Sequence, residues 1–210
     1  MKVELPHPRN RLDPAFRQMV DRIYAIMTKR AEPLAPAAAA AEGIPGTGVG
    51  MVLSHVSTNL LAGLLEAVAA DPFRGRADLP VLGERLQMEI DELFPLAEAL
   101  QLLRFAVVAE GDVTLTDAGR SFADLDTDAR KRLFARHLVE FVPLVGLIRR
   151  VLDERPTHAA PAARFRNELE DYMSEHYADE TLETVVSWAR YAELFAYDEK
   201  AEMFSLENPS

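Results

Sequence analysis

The side chains that could carry out chemistry are few in this sequence and are not spaced for it. The 210 residues include no cysteine, so thiol nucleophiles, disulfides and thiolate metal sites are excluded. No two histidines have the i, i+3 or i+4 spacing of a helical metal pair; the five are His7, His55, His137, His158 and His176. No Gly-x-Ser-x-Gly motif marks a nucleophilic serine. We therefore expect no enzyme activity, no cofactor and no metal ion in this chain.

A glycine-rich stretch, Gly46-Thr47-Gly48-Val49-Gly50, is the one candidate for a phosphate-binding loop. A P-loop ends in Gly-Lys-Ser/Thr and follows a hydrophobic strand, and this stretch has neither feature. It lies within residues 31–50, which hold seven alanines, four glycines and three prolines. That composition is typical of a flexible connection. We predict a linker over residues 33–53.

Charge is distributed unevenly along the chain, which has a net charge of −11. Residues 1–32 carry seven basic and four acidic side chains, whereas residues 76–125 carry four basic and ten acidic ones. Residues 139–210 carry seven basic and fifteen acidic side chains. Two large segments are therefore acidic and would repel a phosphate backbone.

Hydrophobic periodicity predicts a mostly α-helical chain with small β-hairpins. Asp13-Pro14 is typical of a helix start, so a helix over residues 14–30 is predicted within an N-terminal arm, residues 1–32. The next segment, residues 54–125, is predicted to contain helices at about 54–71, 79–86 and 92–103, a turn at 75–78, a hairpin of 105–109 and 113–115, and a helix capped by Thr116.

The last segment, residues 126–207, repeats this order after a connecting helix at 126–141. We predict helices at 144–154 and 161–173, a helix that Asp179 caps and that ends near Tyr191, and a hairpin of 194–197 and 203–206. Arg104-Phe105, before the first hairpin, is matched with Arg190-Tyr191, before the second. Three helices followed by a hairpin is the order of a winged helix, so we predict two winged-helix-like units in tandem.

Winged helices bind either DNA or other proteins, and charge separates these uses. The two predicted third helices offer acidic side chains against one arginine each, which opposes DNA binding; these are Asp91, Glu92 and Glu98 against Arg104, and Glu180 and Glu183 against Arg190. The basic stretch Arg130-Lys131-Arg132 with Arg136 favours the alternative, a DNA-binding transcription regulator. A solvated helix face is the other interpretation of that stretch.

Aromatic residues are dense near the end of the chain, at Trp188, Tyr191, Phe195 and Tyr197. Core packing is the default interpretation of such residues. Because aromatic side chains also anchor interfaces, these four form our candidate surface for a partner or for a second copy of the chain.

Nearly the whole sequence resembles the end of ATP-binding subunits of nitrate/sulfonate/taurine-class ABC transporters. The first part of the chain resembles the last segment of their ATPase domain, in residues 3–11, 14–16 and 20–28. The remainder resembles the C-terminal AAA-associated domain of some of these subunits, in residues 75–79, 93–100, 111–116, 119–120 and 188–198. The Walker A, signature and Walker B motifs of the ATPase are absent from these 210 residues, so no nucleotide-binding residue can be assigned.

The resemblance implies a regulatory accessory domain that takes no part in catalysis. It would dock on the ABC ATPase domain or the permease and form a homodimer, and it would gate transport in response to a small molecule. We expect a cytoplasmic location that is peripheral to the inner face of the membrane, with contact to the membrane only through the transporter. No nucleic acid partner is expected.

Overall fold

The computed structural model describes residues 50–206. The helix predicted at 14–30, His7 and most of the predicted linker lie outside these residues. Within them the chain is mostly helical, with two antiparallel sheets of three strands each. No helix in this part of the chain combines the length and the apolar character needed to cross a membrane.

The first repeat, residues 58–115, contains three helices and one sheet. Its strands are arranged in the order β1-β3-β2, with both pairings antiparallel. The elements are α1 (Thr58–Ala69), β1 (Arg76–Asp78), α2 (Leu79–Leu86), α3 (Ile90–Leu102), β2 (Ala106–Ala109) and β3 (Asp112–Leu115).

Side-chain caps explain why these helices begin where they do. The Ser57 hydroxyl accepts a hydrogen bond from the amide of Asn59 and opens α1. The Asp78 carboxylate accepts from the amide of Val81 and opens α2. Helix α3 begins two residues earlier than predicted, because Glu92 accepts from the amide of Glu89 at 3.2 Å.

Two helices connect the repeats, α4 (Asp117–Asp124) and α5 (Thr127–Phe141). The predicted cap Thr116 is confirmed, since its hydroxyl accepts from the amide of Gly119 at 3.1 Å. The same hydroxyl donates to the carbonyl of Arg104 at 2.7 Å. The start of α4 is thereby fixed to the end of α3.

The second repeat, residues 143–205, has the same order of elements and the same order of strands. Its sheet runs β4-β6-β5, again antiparallel throughout. The elements are α6 (Pro143–Glu154), β4 (Ala159–Pro161), α7 (Ala162–Glu170), α8 (Glu175–Tyr191), β5 (Ala196–Asp198) and β6 (Met203–Ser205).

Backbone hydrogen bonds outside the helices and strands repeat as well. In each repeat, an amide at the end of the last strand or just after it donates to the carbonyl of the residue before the first strand. The amide of the first residue of the second helix donates to a carbonyl of the hairpin turn. The bonds are Leu115 to Gly75 and Leu79 to Gly111, each 2.8 Å, and Leu206 to His158 at 3.1 Å and Ala162 to Glu202 at 2.8 Å. The internal repeat is therefore one of backbone geometry, which explains why so little sequence is shared.

The first strand of each sheet was not predicted. Residues 76–78 were predicted as part of a turn, but Ala77 pairs with Val113 in β3. Ala160 likewise pairs with Phe204 in β6. A strand of three residues is too short to show an alternating pattern, and its partner lies more than thirty residues away in each case.

The prediction that Asp179 caps the last helix is wrong. Helix α8 begins at Glu175, and Asp179 lies within it, where its carboxylate accepts from Nε of Arg166 at 2.7 Å. The matching of Arg104 with Arg190 is also wrong. The left-handed residue after the third helix is Arg104 (φ 61°) in the first repeat and Glu193 (φ 54°) in the second, so these two correspond.

Residues 50–57, which we call the strap, lie against α8. The amide of Leu53 donates to Oγ1 of Thr181 at 3.3 Å, and Nε1 of Trp188 donates to the carbonyl of Val56 at 2.9 Å. Seven helical residues rise about 10 Å, which three or four residues of chain span only when nearly extended. Leu53, the last residue of the predicted linker over residues 33–53, is buried. The C-terminal end of that segment therefore belongs to the packed structure.

Candidate interaction surfaces

The four aromatic residues of the predicted surface divide into two clusters. Trp188 and Tyr191 lie edge-on to Phe134, with ring centroids 6.2 and 5.3 Å away. Phe195 and Tyr197 both contact the ring of Phe204, at 5.6 and 4.8 Å. The first cluster joins α8 to α5, whereas the second fills the sheet of the second repeat.

Burial contradicts the use of two of these residues as a surface. Trp188 is 1% exposed and Phe195 is 5% exposed, so both belong to the core. Tyr191 and Tyr197 are half-buried, and burial raises the pKa of each phenol. Aromatic density and spacing look the same for a core and for an interface, so only the folded chain separates the two.

The exposed charges of the two third helices are predominantly acidic. On α3 the exposed residues Asp91, Glu92 and Glu98 carry carboxylates, and partial burial of the Glu98 carboxyl group by its surroundings raises its pKa. On α8, Glu183 is exposed as well, and the exposed Arg190 donates to Glu199 of the following turn at 3.0 Å. Neither helix presents a continuous positive face within the described residues.

The hairpin of the first repeat is also not basic. Its turn carries Glu110 and Gly111, both with positive φ, which is the two-residue turn that suits a tight hairpin. Asp112 follows, and its carboxylate accepts from Nε of Arg76 at 2.7 Å. Arg76 of β1, the strand that pairs with this hairpin, is therefore already paired with a carboxylate.

Half of the basic stretch on α5 is engaged within the chain. Arg130 pairs with Glu66 of α1 and donates to the carbonyl of Ala123 at 2.7 Å. Lys131 donates to Glu193 at 2.6 Å, which raises the pKa of the lysine. Arg132 and Arg136 are exposed. The first two side chains thus join α5 to both repeats.

The histidines of residues 50–206 lie apart from one another. His137 and His158 contact carbonyl oxygens, of Leu103 at 2.6 Å and of Leu152 at 3.0 Å. His176 lies 3.4 Å from Glu180 on the same helix. Among the described residues, no group of three or more His, Asp or Glu side chains is placed to hold a metal ion.

A cleft of about 690 Å³ lies between α1, α3 and the end of α2. Its walls are mainly apolar, with Leu60 and Leu64 from α1 and Pro95 from α3 among them. Leu60 is 50% exposed at this cleft. Sequence periodicity had assigned the same leucine to the buried face of its helix.

Gly63 also lines the cleft, and a Cβ atom added there would meet no atom within 4 Å. Glu92 is the acidic side chain at the cleft, and His55 lies at the other wall. This cleft was not predicted. Leu60 lies at the edge of the apolar stripe that Leu61, Leu64, Leu65 and Val68 form, and the spacing alone does not show whether a neighbouring element covers that edge.

The comparisons with known proteins give one positive result. The family model of the C-terminal AAA-associated domain matches residues 80–198, from the start of α2 to the end of β5. Searches of curated proteins and of solved structures gave no match. Because the family match covers more than half of the 210 residues, this chain belongs to the C-terminal AAA-associated domain family.

Proposed function

We propose that this chain is a non-catalytic regulatory and protein-interaction domain of an ATP-binding subunit of an ABC transporter of the nitrate/sulfonate/taurine class. Membership of the C-terminal AAA-associated domain family fits an accessory domain of this kind. The domain docks on the ABC ATPase domain or the permease and forms a homodimer. Its place is cytoplasmic, peripheral to the inner face of the membrane.

The acidic third helices are the observation that carries this proposal. We propose that each repeat is a winged helix, because the order helix, strand, helix, helix, strand, strand and the strand order 1-3-2 recur in both. In such a domain the third helix and the hairpin would meet DNA. Here Asp91, Glu92 and Glu98 occupy the exposed side of α3, so a protein partner suits this face better than a polyanion.

A transcription regulator is the second candidate, favoured by the winged-helix order itself. Arg132 and Arg136 are the two exposed cations of the basic stretch on α5 that could support it. They lie on α5, outside both third helices and both hairpins, where winged-helix proteins place phosphate and base contacts.

Co-elution tests the proposal directly. The chain would be mixed with the purified ATP-binding subunit and permease of an ABC importer of this class from the same genome, and the mixture passed over a sizing column. We expect the chain to elute with the transporter and, alone, as a dimer. Elution as a monomer both alone and in the mixture would contradict the proposal.

A further inference from the structure

The internal repeat shows which surfaces of the two third helices correspond. The left-handed residues Arg104 and Glu193 end these helices in the same way, since the next residue of each donates to the carbonyl five positions earlier. Counting back from them matches one flank of α3 with one flank of α8. The matched positions are Glu92 with Thr181, Pro95 with Thr184, and Ala99 with Trp188.

In the second repeat this flank is covered by the chain itself. Thr181 and Thr184 are both 0% exposed. The strap supplies the cover at Thr181 and Trp188 through the backbone of Leu53 and Val56, whose side chains are buried. An extended segment with apolar side chains three residues apart therefore fills this side of α8.

In the first repeat the same flank is open at Glu92 and Pro95, whereas Ala99 is buried. Glu92 is exposed and Pro95 is only half-buried, and both line the apolar cleft. Met88, which precedes α3, lines it too; in the second repeat the corresponding connection holds Tyr172, whose side chain lies against Gly50 of the strap. The cleft is thus the counterpart of the site that the strap occupies.

The charges around the cleft define what could fill it. Helices α1 and α3 carry neither lysine nor arginine, and their acidic residues are Glu66, Asp91, Glu92 and Glu98. Glu66 is paired with Arg130, whereas Glu92 lines the cleft where Thr181 stands in the second repeat. A cationic side chain on the occupant would complement this carboxylate.

Two polar groups of the cleft, among its four polar side chains His55, Ser57, Asn59 and Glu92, already have backbone partners. The Ser57 hydroxyl accepts from the amide of Asn59, and Glu92 accepts from the amide of Glu89. Few polar groups are left to orient a small polar molecule, which needs several convergent ones. Apolar side chains of a peptide segment fit such walls better.

We propose that this cleft binds an extended segment of a partner protein, with apolar side chains at positions i and i+3 and a lysine or arginine beside them. The segment lies along α3 as the strap lies along α8, and the Glu92 carboxylate faces its cation. This inference rests on the proposed interaction role and names the kind of partner sequence that the domain recognises.

The strap itself provides the probe. A peptide with the sequence of residues 50–57 and two lysines added at each end would be titrated into the ¹⁵N-labelled chain, and amide shifts recorded. A second peptide would carry glutamates in place of the added lysines. We expect the lysine peptide to shift amides of α1 and α3 around the cleft, and to bind more tightly than the glutamate peptide.

Two substitutions test the site without breaking the fold. Gly63→Leu places a side chain into empty space of the cleft and should abolish binding, whereas Gly63→Ala leaves most of the cleft free and should retain it. Glu92→Gln keeps the helix cap, because glutamine serves in a capping box. It should weaken binding of the lysine peptide about two- to fivefold, as loss of one exposed charge pair does. Glu183→Gln, on the exposed side of α8, is the matched control and should change nothing.

Three results would overturn the inference: no binding of the lysine peptide at millimolar concentration, equal binding of the glutamate peptide, or unchanged binding to the Gly63→Leu variant. Shifts confined to α8, where the probe would displace the strap, would overturn it as well. The co-elution experiment does not depend on this peptide. If Gly63→Leu abolishes peptide binding but leaves co-elution intact, the cleft is supported as a peptide site. The contact with the transporter then lies elsewhere on the domain.

Discussion

The two repeats of this domain share a backbone plan and differ in what lies against the third helix. In the second repeat, Thr181 and Trp188 of α8 are buried beneath the strap. In the first, the matched flank of α3 borders an open cleft that carries Glu92. One backbone plan can therefore hold a segment of its own chain in one repeat and leave the corresponding surface uncovered in the other, within the described residues.

The largest expected effect comes from removing the side chain that holds the strap. Trp188→Ala should lower the free energy of unfolding by about 3–5 kcal/mol, because a fully buried tryptophan leaves a cavity. Trp188→Phe keeps most of the ring but leaves the carbonyl of Val56 without its donor. This variant should lose about 1–3 kcal/mol of unfolding free energy. Urea denaturation measures both. A loss below about 1 kcal/mol for the alanine variant would show that the strap is not part of the cooperative fold.

The centres of the two sheets provide a second comparison. Val113 and Phe204 occupy the same position in β3 and β6, and both are 0% exposed. Phe204→Ala should lower the free energy of unfolding by about 3–5 kcal/mol and Val113→Ala by about 2 kcal/mol. The larger loss is expected because deleting the phenyl ring removes more buried apolar area than deleting the methyl groups of valine. Equal losses, measured by urea denaturation, would contradict the view that the second repeat relies on its aromatic cluster.

Two helical glycines should respond to alanine in opposite directions. Gly63→Ala adds a methyl group where no atom lies within 4 Å, and should stabilise α1 by about 0.5–1 kcal/mol. Gly119→Ala should destabilise the chain, because its Cβ would lie 2.0 Å from the carbonyl oxygen of Phe105. Thermal denaturation compares them. Destabilisation by Gly63→Ala would show that the cleft is closed in solution.

The smallest effect should appear at Glu98, where burial raises the pKa of the carboxyl group. A raised pKa in the folded chain means that the ionised form opposes folding. Glu98→Gln should therefore be slightly more stable than the parent at neutral pH, and the difference should vanish as the pH falls through the unfolded value of 4.5. Denaturation at pH 7 and pH 4 measures it, with Glu183→Gln as the exposed control. A difference that grows toward acid would contradict the sign.

The sequence predicted what depends on local pattern. Apolar spacing located α2 at 79–86, and the turn predicted between strands 105–109 and 113–115 located the first hairpin, although the structure places Asp112 in its second strand. Thr116 was identified as a helix cap because its hydroxyl accepts from an amide only three residues away, that of Gly119, so the sequence itself contains both partners. Strands β1 and β4 were missed because a three-residue strand is defined by its distant partner and hardly by its own residues.

The candidate surface was harder to predict than the fold. Trp188 and Phe195 are of the aromatic residue types that are common in interfaces, yet tertiary packing buries both side chains. The cleft depends on the opposite effect, since Leu60 belongs to an apolar helix face and still remains 50% exposed. Whether an apolar side chain meets the core or solvent depends on how neighbouring helices are spaced, which a single helix pattern does not encode.

The acidic charge of the third helices can be tested by equilibrium binding to duplex DNA. The chain would be titrated into fluorescently labelled random-sequence and genomic duplexes, with anisotropy followed at low and at physiological salt. The acidic faces of α3 and α8 predict no saturable binding under either condition. Nanomolar binding at physiological salt that weakens steeply as salt increases would contradict the account and favour a gene regulator.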